Sequence, residues 1–283
     1  MRTILVPTDF SLVAANAYQF AQELAQREGA ELRVVHIYHP TVDAANPYLN
    51  IPTPDLADLK EKYLRQFIEK YQVVTPEGTP LLEQPVRQDL QIGIPVDELL
   101  RLSREADLMV MGTKGENNVL RRLFGSVCTQ VARRANCPVW LIPPEGRWSE
   151  IKQVLFATDY DERDEALLRR MLQQPHIRDA HQIHLVHLMR SDSDHYQVAD
   201  VRLEPVFSEA DQAIDLVKAH VTCADLWQGL QEYAEDHQID LMVMGTDRRS
   251  FLDQLFHRSF TKEMILKAKV PLLIQVFTET KPA

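Results

Sequence analysis

Cysteine is scarce in this chain of 283 residues, with three in all. Cys128, Cys137 and Cys223 are odd in number and lack metal or redox spacing, so inert thiols in a reducing compartment are expected. Basic residues are also outnumbered: 31 Lys and Arg face 41 Asp and Glu, for a net charge of −10. Non-specific nucleic-acid binding needs a basic surface that displaces counterions, so no nucleic-acid partner is expected. No apolar run approaches the roughly 20 residues that span a bilayer, so no membrane partner is expected either. The opening Met1-Arg2-Thr3-Ile4-Leu5-Val6-Pro7-Thr8-Asp9 turns acidic too soon for a signal peptide. A cytoplasmic location follows as the expectation. Of ten histidines, His181, His184 and His187 lie close together, but residues three apart on a strand face opposite ways, and no metal site is expected.

What the chain does have is one segment written twice. Asp107-Leu108-Met109-Val110-Met111-Gly112-Thr113-Lys114-Gly115 returns as Asp240-Leu241-Met242-Val243-Met244-Gly245-Thr246-Asp247-Arg248. The first copy runs on to Gly125-Ser126 in the spacing G-x2-G-x9-G-S, whereas the second has Arg248 and Arg258 in place of two of the glycines. The length suits two domains, each able to bury its own core. The only strong breaker run between the halves is Pro143-Pro144-Glu145-Gly146-Arg147, which sets the domains at 1–147 and 148–283.

Each half alternates short apolar runs with helical periodicity. Ile4 to Asp9 reads as a buried strand ending in a polar turn, with Ser11 as helix N-cap and Gly29 as helix stop. A second strand covers Leu32 to Tyr38, and Val154 to Asp159, a helix around Ala166 to Leu172 and Ile183 to Leu188 replay this order. Thr53-Pro54-Asp55 starts a helix with Leu56, Leu59, Tyr63, Phe67 and Tyr71 on one face. The matching region Asp192 to Asp211 is polar and irregular, so the second half should have a shortened or missing helix there. A third strand near Val86 or Val217 follows, then a helix over Pro95 to Arg104 or Leu226 to Asp236, and the LMVM strand. A helix is expected from near Ser126 or Ser259, and a last strand at Val139-Trp140-Leu141-Ile142 or Leu272-Leu273-Ile274. The four methionines of the LMVM strands read as core filler. Such alternation gives an open parallel α/β sheet, Rossmann-like, covered on both faces, in tandem.

In such sheets ligands lie beyond the carboxyl ends of the strands. Gly112 and Gly115 would let the backbone approach phosphate oxygens, and Gly125-Ser126 would open a helix whose N–H groups favour an anion. Asp9 either caps its own turn or accepts from the exocyclic amine of a base. Lys114, Arg121 and Arg122 either neutralise phosphates or solvate a loop. The spacing is neither a Walker A loop nor the dinucleotide GxGxxG.

These residues, namely the ILVPTD opening, IGIPVDELL, VMGTKG and the stretch from GSV to CPVWLIP, resemble the universal stress protein A family in its tandem two-domain form. The resemblance implies an adenine nucleotide α-hydrolase-like fold and an ATP cofactor in the first domain, with or without magnesium. It implies that Asp9 and Ile37 meet adenine and that Gly112, Lys114, Gly115, Gly125, Ser126 and Val127 surround ribose and phosphates, with Pro7, Thr8 and Met111 also lining the site. It implies a stress-response protein that regulates, with hydrolysis at most slow. No general base, assignable arginine finger or dedicated magnesium carboxylate stands beside the motif. The second half departs from the pattern at Arg248 and Arg258. They are surface charges beside a collapsed pocket, salt-bridge partners of Asp159 or Asp247, or a clamp for another anion. An efficient ATPase or nucleotidyl transferase is the competing enzyme reading, and HIGH and SGGxDS motifs are absent. A scaffold whose second half holds a different ligand or a protein partner is the third. The two halves are expected to pair antiparallel through their last strands as a pseudo-dimer, with further pairing into a homodimer open.

Overall fold

The computed structural model describes residues 2–38, 54–113, 121–158, 160, 162–177, 180–189, 214–246 and 268–276. The chain divides into two compact units, Met1–Trp148 and Ser149–Ala283.

In the first unit, β1 (Thr3–Pro7), β2 (Glu31–Tyr38), β3 (Arg87–Ile92), β4 (Leu108–Gly112) and β5 (Val139–Ile142) form an all-parallel sheet in the order β3-β2-β1-β4-β5. Apolar runs make the central strands: Ile4, Leu5 and Val6, Met109 and Val110, and all of β5 are at most 1% exposed. β3, with sequence RQDLQI, is a polar edge. Four helices are described here: α1 (Leu12–Glu28), α2 (Pro54–Lys70), α3 (Pro95–Leu102) and α4 (Arg121–Arg134). α1 has the caps its sequence predicts: the Ser11 side chain accepts from the Ala14 N–H, and Gly29 takes a left-handed φ of 60° while its N–H reaches the Ala25 carbonyl.

Two helices differ from expectation. α2 buries Leu64, Phe67 and Ile68, while Leu59 and Tyr63 are exposed, so its inward stripe is rotated from the predicted one. Leu64, Phe67 and Ile68 are also spaced at three and four, and tertiary packing puts this second apolar stripe against the core. α4 begins at Arg121 instead of near Ser126. Leu, Arg and Phe carry a helix well enough for it to start ahead of the glycine, which lies in the second turn. The breaker run after β5 is tied down, since Asn16 of α1 donates to the carbonyls of Pro143 at 3.1 Å and Gly146 at 2.6 Å.

The second unit repeats the plan with β6 (Gln153–Ala157), β7 (Gln182–Met189), β8 (Asp215–Thr222), β9 (Leu241–Thr246) and β10 (Leu272–Val276), ordered β8-β7-β6-β9-β10 and again parallel. α5 (Glu162–Leu172) and α6 (Leu226–Asp236) are its described helices. The aspartate that opens each LMVM segment has one job in both units. Asp107 accepts from the Thr3 N–H at 2.8 Å, and Asp240 from those of Lys152 and Gln153 at 2.8 and 2.9 Å, which pins the start of β1 and of β6. Met109, Met111, Met242 and Met244 are core residues, as expected. The region Asp192 to Asp211, Arg248, Arg258 and the helix expected near Ser259 lie outside the described residues.

Candidate functional site

In the first unit the strand order reverses between β1 and β4, so the connections leaving these two strands diverge. That point is where an open α/β sheet has its crevice. β1 ends at Pro7 and leads into Thr8, Asp9 and Phe10; β2 ends at Ile37 and Tyr38; β4 ends at Gly112 and leads into Thr113. Parallel strands bring these residues to one side of the sheet.

The turn after β1 is built from its own side chains. The Thr8 N–H donates to the Val35 carbonyl at 2.9 Å, and Thr8 Oγ1 accepts from the Phe10 N–H at 3.0 Å. Phe10 has a φ of 67°, an uncommon conformation for a residue with a side chain. Asp9 Oδ1 accepts from the Ser11 N–H at 3.1 Å and the Ser11 hydroxyl at 2.6 Å. Asp9 therefore caps its turn with one oxygen. Its other oxygen, Oδ2, is buried and has no partner among the described residues.

Three more atoms, near the ends of β2 and β4, share that condition. His36 donates from Nδ1 to the Thr8 carbonyl at 2.8 Å, while its Nε2 is buried without a partner among the described residues. Tyr38 Oη and Thr113 Oγ1 are likewise buried and unpaired there. Burial lowers the His36 pKa and Lys60 lowers it further, against the Thr8 bond and the Asp9 charge, which raise it. The Phe10 ring packs 4.2 Å from the His36 ring and 5.8 Å from that of Phe67 on α2.

Packing alone requires a glycine at position 112. A Cβ there would stand 2.8 Å from both the carbonyl oxygen and Cγ1 of Val13, so the end of β4 touches the first turn of α1. The glycine serves packing between elements. Cys128 on α4 donates to the Gly112 carbonyl at 3.1 Å, and burial, with the Asp9 charge behind it, pushes this thiol up to about 12, which leaves it inert. Pro7 and Ile37 are half-buried, and Met111 and Val127 are buried. Lys114 and Gly115 lie outside the described residues. Gly125 and Ser126 belong to α4, past its first turn, where their N–H groups bond within the helix.

The second unit repeats the turn. The Thr158 N–H donates to the Val186 carbonyl at 3.0 Å, Thr158 Oγ1 accepts from the Tyr160 N–H at 2.9 Å, and His187 Nδ1 meets the Thr158 carbonyl at 2.8 Å. Tyr160 has the same left-handed backbone, with φ 57°. Here, however, the Thr158 hydroxyl donates to Asp164 at 2.6 Å, and Asp164 stands where the first unit has Ala14. Sequence reasoning weighed His187 only as part of a metal cluster and gave His36 no role. The repeated threonine, aromatic and histidine were the available signal for this turn.

The model of the universal stress protein family matches residues 1–143 and again 150–275. The chain belongs to the universal stress protein family. Universal stress protein Slr1230 of Synechocystis sp. is 23% identical over 292 residues, covering 96% of this chain and 99% of that protein. A universal stress protein of Archaeoglobus fulgidus, known from its crystal structure, shares the fold with a TM-score of 0.62 at 16% identity, over 99% of this chain and 97% of that one. A universal stress protein solved in complex with cAMP is 28% identical and covers 50% of this chain and 96% of its own, with a TM-score of 0.38. Among the described residues no helix is long and apolar enough to cross a membrane, and no group of three or more His, Cys, Asp or Glu could hold a metal ion.

Proposed function

We propose that the first unit of this universal stress protein binds ATP at the ends of β1, β2 and β4, and that the chain is a cytoplasmic stress-response regulator that turns the nucleotide over slowly if at all. The observation that carries this reading is the set of four buried polar atoms without partners among the described residues: Asp9 Oδ2, His36 Nε2, Tyr38 Oη and Thr113 Oγ1. An unpaired buried polar group costs about 1–3 kcal/mol, and four such groups near the ends of β1, β2 and β4 favour a polar ligand that offsets the cost. Pro7, Thr8, Asp9 and Ile37 would receive the base. Met111, Gly112, Lys114, Gly115, Gly125, Ser126 and Val127 would surround ribose and phosphates, with Gly112 acting through its backbone. For Gly125 and Ser126 to offer N–H groups to phosphate, the first turn of α4 must unwind on binding. Magnesium, where it takes part, would arrive with the triphosphate.

The second unit is proposed not to bind ATP, because Arg248 and Arg258 replace two glycines of the spacing and Asp164 already engages Thr158. It is left to hold another small ligand or a protein partner. We also infer that the units pair through β5 and β10, the final apolar strand of each sheet order. Calorimetry on the whole chain tests the nucleotide reading: one ATP per chain is expected, lost in Gly125→Arg without a lower melting temperature. Arginine is the better helix former by about 0.8 kcal/mol at such a position. Normal ATP binding by a folded Gly125→Arg protein would sink the proposed cradle.

A further inference from the structure

The hydrogen-bonding state of His36 can be worked out atom by atom. A carbonyl oxygen only accepts, so the 2.8 Å contact with Thr8 requires the proton on Nδ1. In the neutral ring Nε2 is then a lone-pair acceptor, and it is buried with no partner among the described residues. His184, buried in the second unit, is bonded differently. Its Nδ1 meets Tyr233 Oη at 2.8 Å, and its Nε2 meets Gln182 Oε1 at 2.9 Å and Gln153 Oε1 at 3.1 Å. Both nitrogens of His184 are engaged, whereas His36 leaves one facing nothing described. Asp9 Oδ2, at the end of the neighbouring strand, is a second buried acceptor in the same state, and its charge bears on the His36 ring.

Two buried acceptors at the ends of neighbouring strands, one bearing its charge on the other's ring and neither with a donor among the described residues, call for a ligand group that carries two N–H bonds. Resting on the ATP reading above, we propose that His36 is a specificity-determining residue of the base pocket: Asp9 Oδ2 and His36 Nε2 each accept one N–H of the exocyclic amine, selecting a 6-amino over a 6-oxo purine. A 6-oxo group sets its own lone pairs against both acceptors and leaves all three atoms unsatisfied. Protonation of His36 reverses one half of this, because Nε2–H donates to a 6-oxo oxygen and no longer accepts from an amine. The charged groups bearing on the ring are Asp9, from the turn after β1, and Lys60, from α2; Phe10 and Tyr38 contribute rings. Burial and Lys60 favour the neutral form, so selectivity is highest at neutral pH and declines on acidification.

The test compares ATP with inosine triphosphate on the full-length protein at about pH 7.5 and about pH 5.5, on either side of the ordinary imidazole value. The two ligands carry the same triphosphate, so its titration cancels in the affinity ratio. Wild type should favour ATP by roughly a hundredfold at the higher pH, and the ratio should fall at the lower pH in proportion to the fraction of His36 that takes a proton. His36→Asn can keep an N–H for the Thr8 carbonyl but has no Nε2. Its ratio should be about tenfold smaller than wild type at the higher pH and flat with pH, which a merely structural role would not produce. ATP binding with the same ratio in His36→Asn as in wild type overturns the assignment of His36 alone. So does a wild-type protein that binds ATP and inosine triphosphate equally well at about pH 7.5, a measurement that needs no variant to fold. Absence of ATP binding by wild type overturns the ATP reading as well.

Discussion

Gly112→Ala separates two roles for one glycine by the sign of its effect on stability. A strand glycine at an ordinary φ should gain about 0.5–1 kcal/mol on replacement by alanine, because the unfolded chain loses freedom. At Gly112 the added methyl would stand 2.8 Å from the Val13 carbonyl oxygen and 3.0 Å from its carbonyl carbon. These are backbone atoms in the first turn of α1 and cannot swing aside as a long side chain does. Overpacking of this kind costs about 1–3 kcal/mol. Set against the entropic gain, the net loss should be about 1–2 kcal/mol. With a urea slope of about 2 kcal/mol per M, the unfolding midpoint of the first unit should fall by about 0.5–1 M. Urea unfolding with hydrogen exchange read in β1 and β4 is the assay. A midpoint equal to or above that of wild type would refute the packing argument and return Gly112 to the role its spacing implies, approach to a phosphate. That alternative predicts lost ATP binding at unchanged stability.

Two further outcomes are expected. Burial lowers the His184 pKa and His237 lowers it further, so its contribution to stability is whole above the unfolded value of about 6.5 and is lost as the pH falls through the folded value. Exchange protection in β7 and α6, corrected for intrinsic rates, should therefore weaken on acidification from about pH 7 to pH 5; protection that holds steady counts against a neutral, fully bonded His184. The halves 1–147 and 148–283, co-expressed as separate chains, should copurify one to one if β5 and β10 pair, since each otherwise leaves an apolar edge strand open. Recovery of each half by itself removes that idea.

Much of the fold was legible because a parallel sheet buried on both faces needs apolar runs such as Ile4-Leu5-Val6 and Val139-Trp140-Leu141-Ile142, which stand out between turn residues. The boundaries of α1 were legible because Ser11 and Gly29 cap by chemistry local to the chain. The start of α4 was not. A glycine spacing suggested a helix N-terminus at Gly125-Ser126, while good helix formers extend the helix back to Arg121. The inward face of α2 was misread because Leu59 and Tyr63 fit the helical period as well as Leu64 and Ile68 do, and only tertiary packing chooses between them. In the candidate site, a sequence can show that Asp9 follows a strand. It cannot show that one carboxylate oxygen holds Ser11 while the other has no partner among the described residues, since that depends on where β2 and β4 end.

The two units share a turn, so the turn itself is not evidence of a ligand. Thr8 and Thr158 make the same bonds to a left-handed aromatic residue and to a histidine on the next strand, with distances that agree to 0.1 Å. A feature kept in both halves is explained by the fold: it fixes how the chain leaves a central strand and enters a helix. What differs is the helix that follows. In the second unit Asp164 is buried and accepts a 2.6 Å hydrogen bond from the Thr158 hydroxyl. In the first, Ala14 occupies that position and brings no polar group, while Asp9 Oδ2 and Thr113 Oγ1 are buried without described partners. A carboxylate placed at position 14 should therefore make the first unit resemble the second, engaging Thr8 from within and setting a negative charge at the crevice. The effect on a triphosphate follows from charge alone, because a second carboxylate beside Asp9 repels an anionic ligand whatever the base does.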